Sequence, residues 1–82
     1  MTNRIIIGDC LYVLPTLEEG SVDLVIADPP YGETSLPWDR WPTDWLDLLQ
    51  RCMKPSASLW VFGTVRMFMK HASQFSRWNF AQ

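Results

Sequence analysis

Apolar and polar positions fall in blocks along the chain, and the blocks predict alternating strands and helices. Short, nearly continuous apolar runs indicate parallel strands that are covered on both faces. Segments with helical spacing separate these runs. The strands are expected near 4–8, 22–27 and 58–63, with Trp78-Asn79-Phe80 starting one more. The helices are expected near 10–18, 42–53 and 65–76. The pattern therefore predicts an α/β fold of three to four strands with flanking helices.

The second helix has the clearest pattern. Its apolar residues recur at positions i, i+3, i+4 and i+7, which makes one stripe: Trp45, Leu48, Leu49 and Cys52. Thr43 is the expected N-cap. Lys54-Pro55-Ser56 is expected to end the helix and turn the chain into the next strand.

The tetrapeptide Asp28-Pro29-Pro30-Tyr31 directly follows the apolar run that ends at Ala27. Proline has no N–H and a fixed φ, so two prolines end the strand and stiffen the loop. Open α/β sheets bind ligands at this carboxyl edge. A carboxylate, the Pro29 carbonyl and an aromatic ring held together suit a planar group with an exocyclic NH2, such as adenine or cytosine. The structural alternative is a strand-ending turn with a packed tyrosine.

Asp9 is a second candidate site residue, because it lies between a β-like run and a helix-like segment. An acid at such a position is a good N-cap, since its carboxylate can accept from the first helix N–H groups. Capping alone would account for this residue.

Composition limits the possible functions. The chain has 82 residues, of which 48% are hydrophobic, and this allows one small domain. A net charge of −2 differs from the basic footprint of a protein that grips duplex DNA by itself. The basic residues are scattered and are expected on a solvated surface: Arg4, Arg40, Arg51, Lys54, Arg66, Lys70 and Arg77.

The cysteines and the histidine suggest structural roles. Cys10 and Cys52 are too few and too far apart for a disulfide framework or a zinc site, so no metal site is expected. Both lie on apolar faces, which favours a reduced, cytoplasmic setting, and neither a signal peptide nor a membrane-length run is visible. His71 is expected to be solvated or to cap a helix rather than to catalyse.

The tetrapeptide and its flanks resemble the DPPY motif region of DNA amino-methyltransferases. These S-adenosyl-L-methionine-dependent enzymes, many from restriction-modification systems, methylate adenine N6 or cytosine N4. The likeness is to the permuted group, in which the catalytic region comes first, and to its phage and prophage members. The matching segments are Ile7-Gly8-Asp9-Cys10 with Leu14, 21–27, Asp28-Pro29-Pro30-Tyr31, Trp38-Asp39, Trp45, Met53-Lys54-Pro55, 59–63 and Trp78. Asp28 favours adenine, because the cytosine enzymes more often have Ser there.

The resemblance implies a role for each site residue. The Asp28 carboxylate and the Pro29 carbonyl would accept hydrogen bonds from the target amino group, with Pro30 completing the rigid turn. Tyr31 would stack on the base after it is flipped out of DNA. Asp9, the Cys10 N–H and Asp28 would line the cofactor site, with Asp9 contacting the cofactor's adenine.

Two parts of such an enzyme are missing. The four glycines never cluster, so the glycine-rich cofactor loop is absent, as is the target-recognition region. In the family's sheet, two strands from the missing half separate the strands that end at Asp9 and Asp28. Residues 1–82 are therefore expected to form the N-terminal catalytic portion of a partial, incomplete Rossmann-like methyltransferase domain. It would be inactive alone and would act on DNA with a complementing C-terminal half or as a homo-oligomer.

Several alternatives remain open. The chain could be a non-catalytic methyltransferase remnant that acts as a binding module, a cytosine-N4 enzyme, or a methyltransferase for RNA or protein. The loop 32–42 could be a lid over the site, or it could be pinned to the body by Trp38 and Trp41. Gly63 could allow the backbone to approach a ligand closely.

Overall fold

The computed structural model describes residues 3–78, which form two parallel strands with short helices. The helices are α1 (Cys10–Val13), α2 (Trp45–Cys52) and α3 (Val65–Lys70). The strands are β1 (Val22–Ala27) and β2 (Met53–Val61). Two 3₁₀ turns, Leu14–Thr16 and Ala72–Phe75, follow α1 and α3. The α/β class is confirmed for the described residues.

β1 and β2 pair in parallel, and the register is regular near the carboxyl ends of the strands. Ile26 lies opposite Trp60, and the register shifts between Val22 and Leu24. Val22 pairs with Met53 but Leu24 pairs with Ser58, so β2 has extra residues at this point. Pro55 lies among them, and such an irregularity is one of the places where a strand accommodates a residue without an N–H. Residues 54–56 thus form part of a strand and not the predicted turn.

α2 supplies the centre of the core. Its buried side chains are Trp45, Leu46, Leu49 and Cys52, which pack with Met53 and Phe75. The predicted stripe is confirmed except that Leu46 is buried and Leu48 is only half-buried. Asp44, with a φ of 67°, is the N-cap in place of Thr43, and its side chain makes no capping hydrogen bond.

The two faces of the sheet differ sharply. Val25 and Leu59 lie opposite each other and pack against the core. The other face, here called the open face, exposes large apolar side chains. These are Leu24, Ile26, Trp60 and Phe62, with exposed fractions of 54%, 69%, 65% and 59%. The prediction that both faces are covered is therefore wrong for the described residues.

The expected strand at 4–8 is not formed. These residues have no regular secondary structure, and Ile5 and Ile7 are 93% and 95% exposed. A strand needs a neighbour for its N–H and C=O groups, and neither described strand pairs with this segment. The described sheet has two strands instead of three to four. In the other expected strand, Trp78 lies in a bend, while residues 79 and 80 lie outside the described residues.

Both outer helices are shorter than predicted. The first changes to a 3₁₀ turn at Leu14, next to Pro15, and the last changes to a 3₁₀ turn after His71. Arg51 supports the first of these breaks, because its guanidinium Nη2 donates to the carbonyls of Pro15 at 3.0 Å and Leu17 at 2.6 Å. Arg51 is thus tied to the backbone and is not simply solvated. No helix within residues 3–78 has the length and apolarity to cross a membrane.

Candidate active site

The DPPY motif lies at the carboxyl end of β1, where the sequence pattern predicts it. The Phe62 N–H donates to the Ala27 carbonyl at 2.9 Å, so strand pairing continues up to the residue before Asp28. This hydrogen bond places the end of β2 beside the motif. Asp28 is exposed, whereas Pro29, Pro30 and Tyr31 are half-buried.

Within the motif, the Tyr31 hydroxyl donates to Oδ1 of Asp28 at 2.8 Å. This hydrogen bond is the main reason why the pKa of Tyr31 lies above its ordinary value, with burial and the charges of Asp28 and Glu33 adding to it. The structure therefore brings together the predicted carboxylate and the predicted aromatic ring. One of the two Asp28 carboxylate oxygens therefore already accepts a hydrogen bond from the Tyr31 hydroxyl.

A buried carboxylate organises the loop that follows the motif. Asp39 is only 8% exposed, and its Oδ1 accepts from the Gly32 N–H at 2.9 Å. Its Oδ2 accepts from the Thr34 N–H at 2.9 Å and from the Thr34 hydroxyl at 2.6 Å. The hydroxyl bond of Thr34, followed by the Gly32 amide bond, holds the pKa of Asp39 below its ordinary value.

The same loop is joined to the end of β2. The Thr64 hydroxyl donates to the Glu33 carboxylate. Thr64 is also the N-cap of α3, where its Oγ1 accepts from the Met67 N–H at 3.0 Å. The segments that follow β1 and β2 are thus connected through side chains.

Trp41 pins the far end of the loop to the core. Its ring stacks on His71 with a centroid distance of 3.9 Å and an interplanar angle of 8°, and its Nε1–H donates to the Gln74 side-chain oxygen at 2.9 Å. Trp38 is 69% exposed. Of the two alternatives for 32–42, the described contacts favour a pinned loop, with Trp41 and Asp39 as anchors and not Trp38.

His71 is not solvated, but it does lie at a helix cap, as one of the two expectations has it. It is the C-cap residue of α3, where its backbone N–H donates to the Met67 carbonyl at 3.1 Å, and its side chain makes no capping hydrogen bond to the 3₁₀ turn that follows. His71 is buried with 9% exposure against Trp41, and its Nε2 has no hydrogen-bond partner. Burial lowers its pKa below the ordinary value, and the charge of Lys70 lowers it further. The packing beside Trp41 explains why a polar-looking sequence position is part of the core.

Asp9 is the N-cap of α1, as predicted: its Oδ1 accepts from the Leu11 N–H at 2.9 Å. Cys10 is half-buried, and burial, followed by the Asp9 charge, raises the pKa of its thiol. Both cysteines are unpaired thiols. Asp9 and Asp28 each hydrogen-bond within their own segment.

Gly63 has a packing role in this structure. A Cβ there would come within 2.2 Å of Met67 Cε, so the glycine makes room for the buried Met67 side chain. The expectation of close approach to a ligand is untested.

The candidate site lies at an exposed edge of the sheet, where Asp28 and the neighbouring Ile26 and Phe62 are exposed. A cavity of about 380 Å³ lies at the start of α2 and is lined by Thr43, Asp44, Leu46, Asp47, Ser73, Gln74, Ser76 and Arg77. None of the DPPY residues lines it. Among residues 3–78, no three His, Cys, Asp or Glu side chains cluster as metal ligands would.

Sequence reasoning missed the roles of Asp39, Glu33 and Thr64. Thr64 could have been found, because a threonine before a helical segment is a common N-cap. Asp39 appeared only as part of the Trp38-Asp39 similarity, and nothing in its local pattern showed that it accepts hydrogen bonds from residues five and seven positions earlier.

The site thus has an acidic group and an aromatic ring together at the carboxyl end of a parallel strand in an α/β protein. The chain is 31% identical over 84 residues to the type II methyltransferase M.HpaI of Haemophilus parainfluenzae, covering 89% of this chain and 26% of that protein. It is 35% identical over 71 residues to M.BglII of Bacillus subtilis, covering 76% of this chain and 20% of that protein.

These alignments support the DNA methyltransferase family. The chain spans only about a quarter or a fifth of the length of the relatives it matches. No family model and no solved structure matches the chain.

Proposed function

We propose that this chain is the catalytic portion of an S-adenosyl-L-methionine-dependent DNA methyltransferase, with adenine N6 favoured over cytosine N4. The observation that carries the proposal is the DPPY motif at the carboxyl end of β1, with Tyr31 against the Asp28 carboxylate. Similarity to two type II methyltransferases supports methyl transfer as the reaction class.

Each motif residue has a role in the proposed reaction. The amino nitrogen gains positive charge as it attacks, so a fixed carboxylate at Asp28 and the Pro29 carbonyl dipole stabilise the transition state more than the ground state. Two acceptors also orient the nitrogen lone pair. The Tyr31 ring stacks on the flipped base, which returns about 1–3 kcal/mol against an unstacking cost of a few kcal/mol.

Tyr31 uses one acceptor of the motif before the base enters. In the structure its hydroxyl donates to Oδ1 of Asp28, which leaves Oδ2 to accept from the target amino group. Stacking of the ring on the base would require the phenol to move off Oδ1.

The described residues fit one end of the cofactor. Asp9 is exposed at the start of α1 and can accept from an adenine amino group, with Cys10 beside it. The four glycines of the sequence do not form a turn that could hold the methionine carboxylate. S-adenosylmethionine would supply a sulfonium-activated methyl group. Asp9 and Cys10 are therefore proposed for the adenine side of its site, and Asp28 for the side where the methyl group meets the target nitrogen.

The rest of the catalytic domain is proposed to come from another polypeptide segment. The open face of the sheet and the unpaired segment 4–8 expose apolar side chains that a complete α/β domain would cover. A complementing C-terminal half fits this arrangement better than a homo-oligomer, because this chain has no glycine-rich turn to supply to its own copy.

A chimera tests the proposal. In it, this chain replaces the aligned segment of M.HpaI, and transfer of labelled methyl from S-adenosylmethionine into DNA is measured. Asp28→Ala is expected to lower kcat by at least about 100-fold. Asp47→Asn is the control, because Asp47 is an exposed acid on α2 outside the motif. Analysis of the methylated base then distinguishes adenine N6 from cytosine N4.

The outcomes separate the rival functions. A folded chimera without methyl transfer would favour a non-catalytic binding module. Methyl transfer that survives Asp28→Ala would contradict the catalytic role of Asp28. Methyl transfer to RNA or protein in preference to DNA would contradict the proposal that DNA is the substrate. Methyl transfer by the isolated 82-residue chain would contradict the need for a complementing half.

A further inference from the structure

We propose that Asp39 is a positioning residue for the DPPY motif: its carboxylate fixes the loop after Tyr31 and so holds Tyr31 beside Asp28. This inference rests on the proposed function of the motif, but its structural part can be tested without methyl transfer. Asp39 itself does not contact the reacting groups, so it acts through the backbone that it holds.

The chemistry of Asp39 matches its surroundings. A carboxylate only accepts hydrogen bonds, and here both oxygens accept from donors of one short loop at 2.6–2.9 Å. An asparagine at this position would offer one acceptor oxygen and would turn an NH2 group toward N–H and O–H donors. The position is 8% exposed, so water can replace the lost acceptor only poorly.

The Gly32 hydrogen bond connects Asp39 directly to Tyr31. The Gly32 N–H belongs to the same planar peptide group as the Tyr31 carbonyl, so fixing that N–H sets the direction in which the chain leaves Tyr31. Gly32 has a φ of +73°, which L side chains rarely adopt. A Cβ there would have only ordinary contacts, the nearest being the Trp41 nitrogen at 3.8 Å. The glycine is therefore needed for its backbone conformation and not for space.

The same clamp extends to the second strand. Glu33 lies between the two residues that Asp39 holds, and its carboxylate accepts from the Thr64 hydroxyl after β2. Loss of the clamp would thus loosen the motif from both sides, while the core contacts of α2 would remain.

Amide exchange in the whole chain tests the clamp. Asp39→Asn is expected to speed solvent exchange of the Gly32 and Thr34 amides by about tenfold at pH 6.5, because both lose a charged acceptor. Asp44→Asn is the matched control: it makes the same charge change at an exposed position whose side chain makes no capping hydrogen bond. In that control, exchange of both amides is expected to stay within about twofold of the parent.

Tyr31 provides a second measurement. The chain has two tyrosines, and Tyr12 is 79% exposed, so Tyr31 can be titrated alone in a Tyr12→Phe background by tyrosinate absorbance. In that background, Asp39→Asn is expected to lower the Tyr31 pKa toward its ordinary value, because the phenol moves away from Asp28. An unchanged pKa together with unchanged amide exchange in folded Asp39→Asn would overturn the proposal.

A milder variant covers the case in which Asp39→Asn does not fold. Thr34→Val removes the hydroxyl bond to Oδ2 of Asp39 and the acceptor for the Leu36 N–H, but it leaves the Gly32 bond to Oδ1 in place. We expect faster exchange of the amide at position 34 with little change at Gly32. Unchanged exchange at Thr34 in this variant would contradict the clamp.

Kinetics in the M.HpaI chimera distinguish positioning from general stability. Asp39→Asn is expected to lower kcat by about 10–100-fold while KM for S-adenosylmethionine stays within about twofold, because misplacement of the motif affects the reacting geometry. Equal loss in kcat and in folded fraction would overturn the positioning role. An inactive parent chimera with an intact amide-exchange result would instead count against the proposed function alone.

Discussion

Segment 28–39 follows a predicted strand and segment 3–9 contains one, yet only segment 28–39 is well anchored in the structure. In 28–39 the polar groups find partners within the loop, as with Asp39 and Gly32, and the loop reaches the core beside Trp41. In 3–9 only Asp9 finds a local partner, and Ile5 and Ile7 remain exposed. Segment 28–39 is held by partners that the described residues supply, whereas strand pairing of segment 3–9 requires a neighbour that they do not provide.

The two faces of β1 give the strongest test of this contrast. Val25→Asp places a charge against the core and is expected to reduce the free energy of unfolding by about 3 kcal/mol or more. Ile26→Asp makes the same kind of change on the open face and is expected to cost under about 1 kcal/mol, the range of strand propensity. Urea denaturation followed by far-UV circular dichroism measures both. Equal losses would mean that the open face is covered in solution.

Trp41 and Trp38 lie in the same loop but differ in burial, so their substitutions are expected to have different effects on stability. Trp41→Ala removes the stack on His71 and the hydrogen bond to Gln74, and is expected to cost about 3 kcal/mol. Trp38→Ala is the control and is expected to change the free energy of unfolding by less than about 0.5 kcal/mol, because Trp38 is exposed. The same urea experiment applies. A larger loss for Trp38 would show that the loop is pinned differently.

Elements with local sequence signals are predicted correctly, whereas features that depend on the rest of the fold are not. β1 was predicted at 22–27 and is found there, because its apolar run and the prolines after it are local signals. The stripe of α2 was also predicted from local spacing. The prediction of a strand at 4–8 is wrong. Apolar side chains show that a segment needs to be buried, but they do not show whether the described residues supply a neighbouring strand or helix to bury it. At the site, the placement of Asp28 was predictable, whereas Asp39 depends on a loop conformation set by Gly32.

Asp9 makes the capping hydrogen bond of segment 3–9, and its loss is expected to lower the free energy of unfolding moderately. Asp9→Ala removes the acceptor for the Leu11 N–H and is expected to cost about 1 kcal/mol or less, because α1 is only four residues long. Asp9→Asn keeps an acceptor and is expected to stay within a few tenths of a kcal/mol of the parent. Equal effects of the two substitutions would indicate that the charge of Asp9, and not its hydrogen bond, stabilises α1.

The smallest expected effect is the pH dependence of the anchored region through His71. Burial lowers the pKa of His71 in the folded state, so the unfolded chain binds a proton more readily. Stability therefore falls as the pH drops below about 6.5, the ordinary histidine pKa, and levels off once the folded state also binds the proton. Lys70 increases this effect, while the contact of Gln74 with Nδ1 of the ring involves no charge.

Urea midpoints measured between about pH 7.5 and 5.5 test this dependence. His71→Phe keeps an aromatic partner for Trp41 without a titrating group, and it is expected to flatten the slope over this range. Asp39 is expected to contribute only at lower pH, because its pKa is depressed below that of an ordinary aspartate. A slope that persists in His71→Phe would assign the pH dependence to another group. A flat profile in the parent chain would mean that His71 is solvated, and the anchored loop would then be less firmly packed than its contacts indicate.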